Sequence, residues 1–77
     1  MKQSTQFVLC LSNQNHEASL TPGKVYAALP DSDAAKNDFV RVNDDSGEDY
    51  LFAKALFVPV DFPQPVRRKL LALQKAG

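Results

Sequence analysis

The stretch Phe39-Val40-Arg41-Val42-Asn43-Asp44-Asp45-Ser46-Gly47-Glu48-Asp49-Tyr50-Leu51-Phe52 decides how this chain folds. Two short alternating runs flank a polar turn. Residues 39–43 read as a strand with Val40 and Val42 inward and Arg41 outward. Asp44-Asp45-Ser46-Gly47 supplies a tight hairpin turn, in which Gly47 suits the left-handed position of a type I turn plus bulge. Residues 49–52 then return as the next strand. Beyond them, residues 53–56 are too few for an α-helix and predict a 3₁₀ turn. Residues 57–60 predict a last strand.

Working back from the hairpin, residues 24–29 predict a strand with Val25, Ala27 and Leu29 on one face. Pro30 stops it, because proline cannot donate to a ladder. Residues 31–38 are polar around Ala34 and Ala35 and allow one helical turn. Residues 7–11 predict the first strand. The long polar loop between these strands ends in Thr21-Pro22-Gly23, a turn signal, and Leu20 is its one apolar anchor. At the other end, Val66, Leu70 and Leu73 recur at i, i+4 and i+7 beside Leu71. That spacing predicts an amphipathic helix over residues 65–76, and three readings of it stand: it packs Val66, Leu70 and Leu73 on the barrel, it contacts the acidic hairpin of this or a neighbouring copy, or it touches phosphate. The divisions are a flexible N-terminus at 1–6, a barrel at 7–62 and a C-terminal helical segment at 63–77.

Seventy-seven residues, 44% apolar and 23% charged, form one small domain. Such a chain buries roughly 60% of its surface, too little for a catalytic cleft plus scaffold. Cys10 is the one cysteine, so no intramolecular disulfide is available. Small secreted domains usually need such staples, so a cytoplasmic location is expected. The apolar run at 7–11 is shorter than the roughly 7–15 residues of a signal-peptide core and far from the roughly 20 of a membrane span. No membrane partner is expected.

Five short strands cannot bury two faces while flat, so an all-β, five-stranded small barrel with one C-terminal helix is expected. The succession of long loop, medium loop, tight hairpin and 3₁₀ turn resembles the SH3-like barrel. Leu20, Pro22, Gly23, Lys24 and Val25 resemble the end of its long first loop entering the second strand. Residues 47–58 resemble its distal hairpin, fourth strand, 3₁₀ turn and start of the last strand. Eukaryotic members bind proline-rich peptides on a groove of aromatics, but this chain has no tryptophan, and His16 is the one aromatic ring in its first loop. A stiff polyproline ligand needs such rings, so that binding mode is not expected. The segment Gly47-Glu48-Asp49-Tyr50-Leu51 also resembles small bacterial proteins of uncharacterised function, a likeness that implies no activity.

No catalytic, metal or cofactor constellation stands out. His16 and Cys10 lack metal-ligand spacing. Cys10 sits in an apolar strand and reads as a small core hydrophobe, and His16 reads as a solvated loop residue. Ser46 has no base beside it beyond what turn chemistry explains. The chain is therefore expected to be non-enzymatic.

The charge distribution is uneven although the formal net charge is zero. Asp31, Asp33, Asp38, Asp44, Asp45, Glu48 and Asp49 face Lys36 and Arg41 alone, giving residues 31–49 a net charge of −5. Residues 66–77 carry Arg67, Arg68, Lys69 and Lys75 and are net +4. Three of these cations fall early in the predicted helix, where its dipole disfavours them, so helix stability does not explain them. The acidic segment reads as a solvated hairpin, a weak cation site or a patch for a basic partner. Tyr26, Phe39 and Tyr50 read either as barrel core and cover for the C-terminal helix or as one outer aromatic patch that docks a protein partner, and the long first loop is the other candidate docking surface. Nucleic-acid binding through Arg67, Arg68, Lys69, Lys75 and Arg41 is the second reading. A monomer or a weak homodimer is expected, the latter through the complementary charged halves.

Overall fold

The hairpin forms where the sequence places it. Strand β3 (Phe39–Asn43) pairs antiparallel with β4 (Asp49–Ala53), setting Asn43 opposite Asp49 and Val40 opposite Phe52. Gly47 adopts a φ of +87°, open to glycine without a Cβ penalty. The computed structural model describes residues 5–76, with side chains over 5–73. The expected flexible segment at 1–6 thus lies outside the described residues as far as residue 4. Gln6 already belongs to β1.

Around the hairpin stand β1 (Gln6–Cys10), β2 (Val25–Leu29), a short helix α1 (Ser32–Lys36), a 3₁₀ turn (Lys54–Leu56), β5 (Phe57–Val60) and the C-terminal helix α2 (Gln64–Ala76). The strands make one antiparallel sheet in the order β4-β3-β2-β1-β5. The barrel expected from the sequence is not closed, because β4 and β5 remain the two edges and share no ladder. The sheet curls instead, and the rings of Phe52 on β4 and Phe57 on β5 meet edge to face at 6.1 Å.

Cross-strand partners point to the same side, so the register sorts the faces. The inner face carries Val8, Cys10, Tyr26, Ala28, Val40, Val42, Phe52 and Phe57, which with Leu20 and Leu56 form the core. Cys10 and Leu20 are fully buried, as the sequence predicts.

Strand β2 is the correction. Tyr26 was expected to face outward, yet it is 3% exposed in the core. Val25-Tyr26-Ala27-Ala28-Leu29 is apolar throughout, so alternation cannot choose a face, and a one-residue error inverts the strand. Ala27 is buried too, because the outer face is covered here. Phe62 meets Phe7 edge to face at 5.7 Å, and the Arg67 guanidinium lies 5.4 Å from the centre of the Phe7 ring.

Helix α2 docks differently from the expected stripe. Val66 and Leu73 are exposed, while Arg67, Leu70 and Leu71 are half-buried. Arg67 donates to the Thr5 carbonyl at 2.6 Å, so a cation predicted to face a partner ties the helix to the sheet. No helix among the described residues is long and apolar enough to cross a membrane.

The long β1–β2 loop is held at Asp45. Its carboxylate accepts from Lys24 Nζ at 2.6 Å, the Tyr26 hydroxyl at 2.9 Å and Thr21 Oγ1 at 2.8 Å, and its amide donates to the Ser19 carbonyl. His16, expected to be solvated, is half-buried and packs edge to face on Phe52 at 5.0 Å.

If Leu20 anchors this loop in the core, Leu20→Ala lowers the unfolding free energy by about 2–5 kcal/mol, the usual cost of a core cavity. Leu11→Ala, at an exposed position, changes it by less than about 0.5 kcal/mol. Urea denaturation of both variants checks this, and equal effects refute the anchor.

Candidate functional site

Where the sheet stays open, strand ends and α1 enclose a cleft of about 790 Å³, within the usual range for ligand sites. Val8, Ala28, Val40 and Phe57 of the inner face, with Pro59, make its apolar floor. Phe39, Lys36 and Lys54 stand at its sides.

Local sequence explains the opening. Pro30 ends β2, and Asp31 turns the chain into α1 by accepting from the Ala34 amide at 3.0 Å, an N-cap bond. Ala34 is buried, which fixes the short helix beside the sheet end. The helix closes at Asn37, and Asp38 follows in the left-handed region at φ +62°. The Asp38 carbonyl accepts from the Lys54 amide at 2.9 Å. That bond extends the hairpin ladder by one pair and brings Lys54 to the same end as α1.

One wall is a charged lattice on the outer face. Arg41 Nε donates to Asp31 at 2.8 Å and Nη1 to Asp49 at 3.0 Å. The Ala34 amide first, and then the Arg41 guanidinium, hold the Asp31 carboxyl below the usual carboxylate range. Asp45 is lowered likewise, chiefly by Lys24 and then by the Thr21 and Tyr26 hydroxyls. Arg41 and Asp31 neutralise each other, whereas Lys36 and Lys54 make no ion pair among the described residues. The cleft therefore combines an apolar floor with excess positive charge.

The structure separates the aromatic residues that sequence reasoning grouped. Tyr26 is in the core. Phe39 is 44% exposed and lines the cleft. Tyr50 is 50% exposed but pairs opposite Val42, on the other face of the sheet from Phe39. Its hydroxyl donates to Glu48 at 2.7 Å, and that carboxylate pushes the phenol's pKa up. There is no single outer patch of Tyr26, Phe39 and Tyr50.

Of the basic set, Arg67 is engaged, Arg68 and Lys69 are exposed, and the Lys75 side chain lies outside the described residues. The acidic segment is also largely engaged: Asp31 and Asp49 hold Arg41, Asp45 holds Lys24, and Asp44 is buried. Burial pushes the Cys10 thiol up, and its Sγ donates to the Ser12 carbonyl. Ser46 is bonded to Asp44 within the turn. Among the described residues no three histidine, cysteine or carboxylate side chains converge as a metal site would require.

Lys36 and Lys54 were missed, although a signal was present. Folding the chain about Ser46 sets Phe39 opposite Ala53, and the next pair is Asp38 with Lys54. Comparison with protein-family models, curated proteins and solved structures finds no match. The resemblance to SH3-like proteins gains no support there.

Because the folded-state pKa values of Asp31 and Asp45 are lowered, their contribution to stability is complete above the ordinary aspartate value of about 4. It is lost as pH falls through the lower folded values. Asp31→Asn and Asp45→Asn should each melt at a lower temperature than the wild type near pH 7 and show a flatter decline below about pH 4. Thermal melts across pH decide it, and acid limbs parallel to the wild type exclude the assignment.

Proposed function

We propose that this chain is a non-enzymatic protein-interaction module whose cleft receives an acidic peptide segment with one apolar anchor. The observation that carries the reading is the pairing of an apolar floor, Val8, Ala28, Val40 and Phe57, with two lysines, Lys36 and Lys54, that make no ion pair among the described residues. The floor takes an aliphatic or aromatic side chain from water, and the ammonium groups favour carboxylates beside it. Phe39 is the one residue of the expected aromatic set at this place, as a side wall.

The finer fold reading that accompanies this is an SH3-like barrel left open. The strand order and the 3₁₀ turn between β4 and β5 support it. A cytoplasmic site of action fits a chain whose single cysteine is free and buried. Nucleic-acid binding through α2 is the weaker reading, because Arg67 is tied to Thr5 and Phe7 and only Arg68 and Lys69 stay exposed among its described cations.

A fluorescein-labelled peptide of sequence Asp-Glu-Leu-Phe-Asp-Glu, its Lys-Arg-Leu-Phe-Lys-Arg counterpart and a short single-stranded oligonucleotide test the proposal. The acidic peptide should bind with a Kd on the order of 10–100 μM, roughly −5.5 to −7 kcal/mol. Amide shifts should centre on Val8, Ala28, Val40 and Phe57. Lys36→Glu with Lys54→Glu should weaken binding at least about tenfold, equivalent to about 1.4 kcal/mol. Equal binding of the two peptides overturns the proposal. So does oligonucleotide binding with shifts at Arg68 and Lys69 and none in the cleft.

A further inference from the structure

The two edges of the sheet differ in what they offer another strand. In an antiparallel ladder, successive residues turn their N–H and C=O groups alternately to one neighbour and the other. On β5, the Leu11 amide bonds the Leu56 carbonyl, so Val58 and Val60 face β1 while Phe57 and Pro59 face outward. The Phe57 amide is used by the Lys54 carbonyl, and proline has no N–H. The β5 edge therefore presents no free donor along the strand.

On β4 the phase is set by two bonds, Asp44 amide to Glu48 carbonyl and Lys54 amide to Asp38 carbonyl. Glu48, Tyr50, Phe52 and Lys54 thus face β3, and Asp49, Leu51 and Ala53 turn their backbone groups outward. No proline or lysine blunts the strand itself. Leu51 is 47% exposed on the outer face, on the same side as exposed Phe39.

We propose that the protein forms a two-fold symmetric dimer by antiparallel addition of β4 to β4 of a second copy, centred on Leu51. In that register the Leu51 pair exchanges both backbone hydrogen bonds, and each Ala53 amide reaches the Asp49 carbonyl of the second copy. Tyr50 comes opposite Phe52, an aromatic pair at a close, non-hydrogen-bonded position. Glu48 comes opposite Lys54, an ion pair made twice by symmetry. A slip of one residue sets outward groups against inward ones, and a slip of two separates Glu48 from Lys54. Charge and hydrogen-bond phase therefore select the same register. The interface is small, so association is weak and concentration-dependent. Lys54 also lines the cleft, whereas Leu51 and Glu48 do not, so Leu51→Lys and Glu48→Lys test the dimer apart from the cleft.

Sedimentation of the full chain from about 10 μM to 1 mM tests it, a range set by the small contact area. The wild type should pass from monomer to dimer. Leu51→Lys, Glu48→Lys and Lys54→Glu should each weaken association at least about tenfold, with unchanged circular dichroism. The reciprocal variant Glu48→Lys/Lys54→Glu should restore it. In the wild type, hydrogen exchange at the Leu51 and Ala53 amides should slow as concentration rises, a readout that requires no variant to fold. A wild-type monomer throughout the range overturns the proposal. Unchanged dimerisation of Leu51→Lys, or no recovery in the reciprocal variant, overturns it as well.

Discussion

A phenol hydroxyl buried among hydrocarbon must find polar partners, and Tyr26 finds them in two segments far from each other. Its oxygen accepts from the Thr21 amide at 2.7 Å and donates to Asp45 in the hairpin turn at 2.9 Å. Together with the bonds of Thr21, Lys24 and Ser19 to Asp45, this side chain joins the long first loop and the tight hairpin into a single structure. The loop then places Leu20 in the core and His16 against Phe52. Phe52 belongs to an edge strand, where an unclosed sheet would otherwise leave its ring to water. The aromatic series continues through Phe57 to Tyr26 itself, whose rings lie 6.4 Å apart. The inner core is thus built around a residue that is polar at one end, and its polar end decides where the loop goes.

Legibility in the sequence followed how much of the information was local. The hairpin could be read because turn chemistry and strict alternation in residues 39–43 agree. The 3₁₀ turn and β5 followed from lengths alone. Strand β2 could not be oriented, because both its faces are buried and its five residues are all apolar. What decides its face is the Asp45 carboxylate, nineteen residues beyond Tyr26 in the chain. The helix was legible as a helix but not in its docking. A stripe of aliphatic residues is the usual guide to the packed face, whereas here an arginine stem and guanidinium cover Phe7, as long cationic side chains can. The cleft was harder to read because its lysines lie far apart in sequence, and only the hairpin register brings Lys54 to the end of the sheet where α1 carries Lys36.

Charge shows the same separation between composition and place. Summed along the chain, residues 31–49 are strongly acidic. In the fold, four of those carboxylates serve the structure itself: Asp31 caps α1 and with Asp49 holds Arg41, Asp45 gathers the loop, and Asp44 accepts from Ser46 within the turn. The surface field is therefore milder than the sum, and beside the cleft two cations, Lys36 and Lys54, make no ion pair among the described residues. Net charge over a segment reports on partners only when the side chains are free to meet them. Ion pairs within the fold remove that freedom even when each contributes little to stability.

The open sheet has one further consequence. A closed barrel would have neither a lateral opening nor strand edges. This sheet keeps both, and one backbone bond governs the two. The Lys54 amide donates to Asp38, which stations the Lys54 side chain at the cleft. The same bond fixes the phase of β4, and with it the outward direction of the Leu51 backbone groups. Shifting that pair by one residue would turn the β4 edge toward β3 and carry Lys54 to the other face. The hairpin that the sequence reveals most clearly therefore sets the geometry of both surfaces where this small domain can meet another molecule.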